Sequence, residues 1–230
     1  MEKYRLTHSG KRPTKLFVGG LHGDEGLYTA PILERLARDG LSVRGGTGAG
    51  VSIDIDIDTG TGESIIVPSL VEERKYRYIG VLFDEYYRSE AGTKLLQLIR
   101  EHKPSFYFEL HSYGRQSYSQ LTDSERLKKI GVPPFVDLDD GILIGSIAPI
   151  LRREFAASDF CMTIELPKWK IVSENEGECI KEKVLEVLRI GLTKADREEM
   201  MREFRIRYPA EVKMAEELFY RYYRNQLNPF

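Results

Sequence analysis

Lys15-Leu-Phe-Val-Gly-Gly-Leu-His22-Gly-Asp-Glu25-Gly26 is the stretch that decides the fold class. The adjacent apolar residues of 15–20, closed off by paired glycines, read as a short buried strand. That strand delivers the chain to a polar loop. Beyond the loop, Leu27, Ile32, Leu33 and Leu36 fall near helical spacing, and Pro31 is tolerable if it lies in the first turn. Strand, polar loop and helix in succession are the signature of an α/β domain.

Working outward, the pattern recurs. Helices are expected over 27–38, 89–102, 146–156 and 178–191. In the second of these Ser89 serves as N-cap before Glu90, and Pro104 ends the helix. Strands are expected over 105–111 and 161–166, the latter stopped by Pro167. The run 51–58, VSIDIDID, alternates apolar and acidic residues with period two, so it reads as a strand with one wet face and solvated aspartates. The expected architecture is therefore α/β, with a mixed, largely parallel sheet covered by helices on both faces. Ligands of such folds gather at the C-terminal ends of the strands. From Thr193 the composition shifts to charged helix formers, with Met200, Met201, Phe204, Met214, Leu218 and Phe219 as expected buried positions. The division is thus an α/β domain over 1–192 and a helical extension over 193–230.

Bulk composition narrows the function classes. The 34 Lys and Arg nearly cancel the 36 Asp and Glu, so no overall field favours nucleic acid or an anionic membrane surface. No run approaches the ~20 apolar residues that span a bilayer. Cys161 and Cys179 form no CxxC pair and suit a reducing compartment, so a cytoplasmic protein is expected. The expected partner is a small-molecule or peptide substrate. A terminal cluster of Tyr220, Tyr222 and Tyr223 with Arg221 and Arg224 could stack on bases, but packing of a terminal helix or a homo-oligomer contact through the C-terminal helices is the reading that the near-neutral charge supports.

The histidines are His8, His22, His102 and His111. A catalytic zinc site takes three N or O donors and keeps a fourth position open, two His and one Glu being a known set. His22-Gly-Asp-Glu25 offers two donors from one loop. In the strand over 105–111, Phe106, Phe108 and Leu110 face one way while Tyr107, Glu109 and His111 face the other, which puts His111 at a strand end as the third donor. Ordinary turn chemistry accounts for a lone His-Gly-Asp-Glu equally well. Glu165 ends another apolar strand, a costly place for a charge unless it is paired or working. It reads either as a general base beside a metal site or as the partner of Lys168 or Lys170.

Taken in order, Phe17-Val-Gly-Gly-Leu-His22-Gly-Asp-Glu25-Gly26, then Lys103-Pro-Ser-Phe-Tyr-Phe-Glu109-Leu-His111-Ser-Tyr113, then Thr163-Ile-Glu165-Leu-Pro167, resemble the zinc carboxypeptidase superfamily. The resemblance implies one zinc ion held by His22, Glu25 and His111, with Glu165 as the catalytic carboxylate. The short gap from Glu25 to His111 is more like the aspartoacylase and succinylglutamate desuccinylase branch, whereas His111-Ser-Tyr113 is more like the digestive carboxypeptidases. The whole also resembles an uncharacterised archaeal family of the same clan. The activity implied is hydrolysis of an amide bond in a small anionic substrate, by deacylation of an N-acyl amino acid or by carboxypeptidase-type cleavage.

One departure concerns the substrate. The superfamily carries an Asn-Arg pair between the first two motifs that grips a carboxylate, but Phe83-Asp-Glu-Tyr-Tyr-Arg88-Ser89 offers Arg88 without the Asn. Arg88, Arg115 and Tyr113 are the expected substrate contacts, with Arg74 and Arg77 competing and a solvated surface role standing against each arginine. The missing Asn also leaves a non-catalytic binding protein with the same fold as the alternative. The glycines of 44–50 lack the Lys-Ser or Lys-Thr of a phosphate loop, and Asp54, Asp56 and Asp58 lack the glycine of a calcium loop. His102 precedes Lys103-Pro104 at a helix end, where an imidazolium suits the dipole without any metal.

Overall fold

The computed structural model of the chain describes residues 3–7, 9–42, 61–71 and 79–223. The strand expected over 51–58, the glycine-rich turn at 44–50, His8, Arg74 and Arg77 lie outside the described residues. In chain order the elements begin with β1 (Tyr4–Thr7), β2 (Ser9–Val18), α1 (Gly26–Ser42) and β3 (Thr61–Val67). They continue with α2 (Asp84–Arg88), α3 (Glu90–His102), β4 (Phe106–Tyr113), a 3-10 turn (Arg115–Ser117), α4 (Tyr118–Leu121) and α5 (Arg126–Ile130). Then come β5 (Val136–Asp139), β6 (Ile142–Gly145), α6 (Pro149–Arg152), β7 (Phe160–Pro167) and α7 (Lys168–Ile171). The chain ends with α8 (Gly177–Thr193), α9 (Arg197–Arg207) and α10 (Pro209–Tyr223).

The strands form one sheet in the order β1-β3-β2-β4-β7-β6-β5. Its centre, β3-β2-β4-β7, is parallel. β1 and β6 run against their neighbours, and β5 runs against β6 and so with the centre. The mixed, largely parallel sheet is the expected one. Side chains alternate across it: Phe17, Phe106, Phe108 and Leu110 join a core under α1, α8, α9 and α10, while Leu16, Val18 and Tyr107 join a second core under α3 and α6. Both faces are therefore covered, as the continuous apolar runs of the central strands require.

Several elements differ in extent from the sequence reading. α1 starts one residue earlier and runs to Ser42, so Pro31 lies in its second turn, on an exposed position. Over 146–156 only Pro149–Arg152 is helical. Arg152 explains the early stop, because its guanidinium bonds the carbonyls of Ala156, Ala157 and Asp159 at 2.9, 3.4 and 3.3 Å and turns the chain. α3 keeps its expected cap, with Ser89 Oγ accepting from Gly92 N–H at 3.2 Å and Lys103 closing the helix in the left-handed region. β1, β3 and the β5–β6 hairpin were not anticipated. That hairpin turns on Asp140-Gly141, both at positive φ, as a tight two-residue connection requires.

The helical extension expected from 193 onward packs into the same core as the sheet. Met200, Met201, Phe204, Val212 and Ala215 are all buried in it, and Phe219 is also buried. Leu218 is partly buried against this core, whereas Met214 is 53% exposed, because the inward face of α10 is set by Val212, Ala215 and Phe219.

Lys15 ties this extension to the sheet. Its ammonium is fully buried and donates to the carbonyls of Leu192 and Lys194 at 2.6 and 2.5 Å, at the C-terminal end of α8 where a cation is favoured. Burial pushes its pKa down to about 7, against the pull of Glu199. A base depressed on folding contributes stability that is present above its unfolded pKa and lost as pH falls through the folded value. Lys15→Met strands two carbonyls and is expected to cost on the order of 2 kcal/mol. In paired denaturant titrations the wild-type advantage over Lys15→Met should widen from pH 7 to pH 9. An unchanged or shrinking advantage would contradict the burial assigned to this ammonium.

Candidate metal centre

The loop after β2 is shaped by its close passage over 67–71. Gly19 N–H donates to Val67 O at 2.9 Å, and Leu70 N–H returns to Gly19 O at 2.9 Å. Gly20 takes φ +55° and Gly23 φ +58°, conformations in which a side chain is strained. Gly20 N–H then bonds Thr29 Oγ1 at 2.9 Å, and Thr29 Oγ1 donates to Glu25 O at 3.1 Å, which locks the loop onto the first turn of α1. His22 and Glu25 emerge from this loop buried, 4% and 3% exposed.

His111 comes to the same place from β4. Parallel pairing of β4 with β7 sets His111 opposite Glu165, at the C-terminal end of both strands. His111 Nδ1 lies 3.2 Å from Glu25 Oε2, and His22 Nδ1 lies 3.5 Å from that same oxygen. Ser112 N–H donates to the other oxygen, Glu25 Oε1, at 3.3 Å and fixes the carboxylate's orientation. One ligand atom from each of His22, Glu25 and His111 lies within 4.8 Å of the others, all three residues buried. Two imidazoles and a carboxylate so close, aimed at a common point, fit a catalytic zinc donor set.

The electrostatics match the geometry. Burial alone would depress His111, but the carboxylates of Glu25 and Glu109 hold it well above the usual histidine range. At His22 burial outweighs the attraction of Glu25 and pushes the imidazole down to about 4. Burial thus favours the neutral imidazole at His22, whereas two carboxylates favour the protonated one at His111. His22, Glu25 and His111 would hold a divalent cation here, whose charge would offset that of the buried carboxylate.

Glu109 was not among the sequence-derived site residues, although it shares the face of His111. It is 1% exposed and accepts from Tyr107 Oη at 3.0 Å and from Thr163 Oγ1 at 2.7 Å. Its Oε1 also lies 3.5 Å from His111 Nε2. The ring is thereby oriented with Nδ1 toward Glu25 and His22. Its signal was the i, i+2 spacing to His111 along a strand, read as a face but not as a close pair.

The four residues at the strand ends share a cavity of about 450 Å³, which His22, Glu25, His111 and Glu165 line together with Glu109, Tyr113 and Lys168. Burial pushes the Glu165 carboxyl up to about 7, with His111 pulling it down and Glu25 and Glu109 pushing it further up. The simple pairing of Glu165 with Lys168 or Lys170 is not what the structure contains. Lys168 bonds Asp24 at 2.6 Å and Lys170 bonds Asp140 at 2.9 Å. Tyr113 is a wall of the cavity whose hydroxyl donates to Gly141 O at 2.6 Å. Arg88 and Arg115 stand apart from it. Arg88 is exposed and 3.6 Å from Glu85, and Arg115 is exposed over the Trp169 ring; neither lines the cavity.

If Glu109 orients His111, Glu109→Gln should weaken zinc affinity by about 10- to 100-fold, the range for partners behind a ligating imidazole. Competition against a zinc chelator reads this directly. An affinity unchanged from wild type would remove Glu109 from the centre.

Comparison with known proteins identifies the family. The family model described as "Uncharacterized protein conserved in archaea (DUF2119)" matches residues 10–224. A relative from Methanocaldococcus jannaschii, the uncharacterized protein MJ0501, is 36% identical over 216 residues, covering 94% of this chain and 93% of its own. Among solved structures, an aspartoacylase family protein from Mesorhizobium loti superposes with a TM-score of 0.43 at 15% identity, over 84% of this chain and 62% of its own. A succinylglutamate desuccinylase/aspartoacylase from Rhodobacter sphaeroides gives 0.41 at 16% identity, over 82% and 58%. This chain thus spans about three-fifths of the length of those two solved chains. By the match over nearly its whole length, the chain belongs to DUF2119, a family of uncharacterized proteins conserved in archaea.

Proposed function

We propose that this chain is a zinc-dependent hydrolase of the cytoplasm that cleaves an amide bond in a small anionic substrate, by deacylation of an N-acyl amino acid-like compound or by carboxypeptidase-type cleavage. The observation that carries the reading is the cluster of His22, Glu25 and His111 ligand atoms within 4.8 Å, in a cavity that also holds Glu165. The cytoplasmic assignment rests on Cys161 and Cys179, which are both free thiols. Among the described residues no helix is long and apolar enough to cross a membrane.

His22, Glu25 and His111 would hold one zinc ion per chain. When bound, zinc supplies Lewis acidity, polarising the scissile carbonyl and making water acidic enough to attack at neutral pH. Glu165, poised near neutrality and unpaired with either lysine beside it, takes the proton of the attacking water and passes it to the leaving amine nitrogen. The carbon–oxygen bond forms as the carbon–nitrogen bond breaks, and the proton ends on the amine. The buried apolar side chains of Ile147 and Ala148 lower the polarity of one wall and strengthen the charge interactions beside it.

Elemental analysis of protein purified without a metal-affinity tag should find one zinc per chain, absent from His22→Ala and His111→Ala. On a panel of N-acyl amino acids and short peptides, Glu165→Gln should retain zinc while losing turnover by about 10²- to 10⁴-fold. Wild-type protein that takes up no added zinc would sink the hydrolase reading. Zinc-loaded wild type that binds a panel compound without turning it over would instead mark a binding protein.

A further inference from the structure

Among the described residues Arg126 is the arginine that lines the cavity, and sequence spacing gave no reason to single it out. It opens the short helix α5 and is only 8% exposed. Nη1 donates to Pro133 O at 2.5 Å, and the guanidinium carbon sits 4.9 Å above the Phe135 ring. These two neutral contacts fix the plane of the group without balancing its charge. Nε is buried with no hydrogen-bond partner among the described residues. Glu165 is near enough for its charge to be felt, yet desolvation still outweighs that attraction and lowers the Arg126 pKa. The other cation on the wall, Lys168, is engaged by Asp24 and lies over the Tyr28 ring.

A guanidinium remains charged at any working pH, and burying that charge without an anion is costly unless an anion completes the site. With Nη1 committed to Pro133 and Nε buried, Nη2 is the nitrogen left to meet a ligand. A carboxylate oxygen is the acceptor for which its charge-assisted N–H groups are best suited. A single positive charge also suits a monoanion better than a phosphate dianion. Val132, Phe135 and Ile147 contribute apolar surface to the same cavity.

We infer that Arg126 is the anion-binding residue of the cavity, receiving a carboxylate on Nη2. That this carboxylate belongs to a substrate to be hydrolysed rests on the hydrolase reading. The anion site does not, and it can fail or stand separately.

The test uses hexanoate, a monocarboxylate with an apolar chain, titrated calorimetrically into the full-length chain with zinc and again after zinc removal with EDTA. Hexanoate should bind both forms. Arg126→Gln should weaken binding at least tenfold in both, Arg126→Lys should recover part of it, and Arg88→Ala and Arg115→Ala should bind as wild type does. Because Arg126→Gln also removes the bond to Pro133 and could disturb the fold, the wild-type protein supplies a second readout: the Nε–H resonance of Arg126, in the same guanidinium as Nη2, should move on adding hexanoate. Binding to zinc-free protein that survives Arg126→Gln, or an Nε–H resonance that does not move at saturation, would overturn the assignment. So would binding that disappears when zinc is removed, since the metal would then be taking the carboxylate. A protein that neither holds zinc nor turns over amides, yet binds hexanoate through Arg126, would refute the hydrolase reading and leave this site standing.

Discussion

Buried negative charge at one end of a parallel sheet is the constraint around which this structure is organised. Glu25 and Glu109 are 3% and 1% exposed, and Glu165 lines the same cavity. Carboxylates so sequestered are tolerated only with cations or donors close by. Tyr107, Thr163 and the Ser112 amide supply donors. What these neutral groups leave uncompensated is a point between His22, His111 and Glu25, where the remaining lone pairs converge. A divalent cation held at that point, as proposed above, would offset the negative charge gathered there.

The sheet delivers these groups by register. Parallel pairing of β2 with β4 and of β4 with β7 aligns three strand ends, so that the loop after β2 reaches His111 and the β4–β7 register sets His111 beside Glu165. Alternation along β4 sends Phe106, Phe108 and Leu110 into one core while Tyr107, Glu109 and His111 face the other side. A slip of one residue would bury the imidazole among phenylalanines and expose a phenylalanine to the cavity. The geometry of the cluster is therefore protected by the hydrophobic core itself. Lys15 adds a further tie, holding the end of α8 and the extension beyond it against β2.

How much of this could be read from the chain alone depended on whether a residue's environment is set locally. His22 and Glu25 sit in a glycine-bounded loop between a strand and a helix, and His111 and Glu165 close apolar strands, so residue pattern and resemblance together brought them out. Glu109 lay in plain view on the His111 face, but its partners Tyr107 and Thr163 come together only through strand pairing. Arg126 carried no local mark: its burial depends on a carbonyl at Pro133 and a ring at Phe135, in a segment without periodicity. Arg88 and Arg115, attractive by their nearness to motifs, point to solvent. The Asp140-Gly141 hairpin had a recognisable turn, but its four-residue strands are too short to stand out. Met214 shows the converse, an apolar residue assigned inward whose helix presents a different face to the core.

The most direct test of the central claim is anomalous diffraction at the zinc edge from crystals of zinc-loaded protein. The account predicts one peak per chain, with His22 Nδ1 and His111 Nδ1 at about 2.0–2.1 Å and Glu25 at about 2.0–2.2 Å. Zinc bound by other side chains, or no peak at these residues in fully loaded crystals, would contradict it.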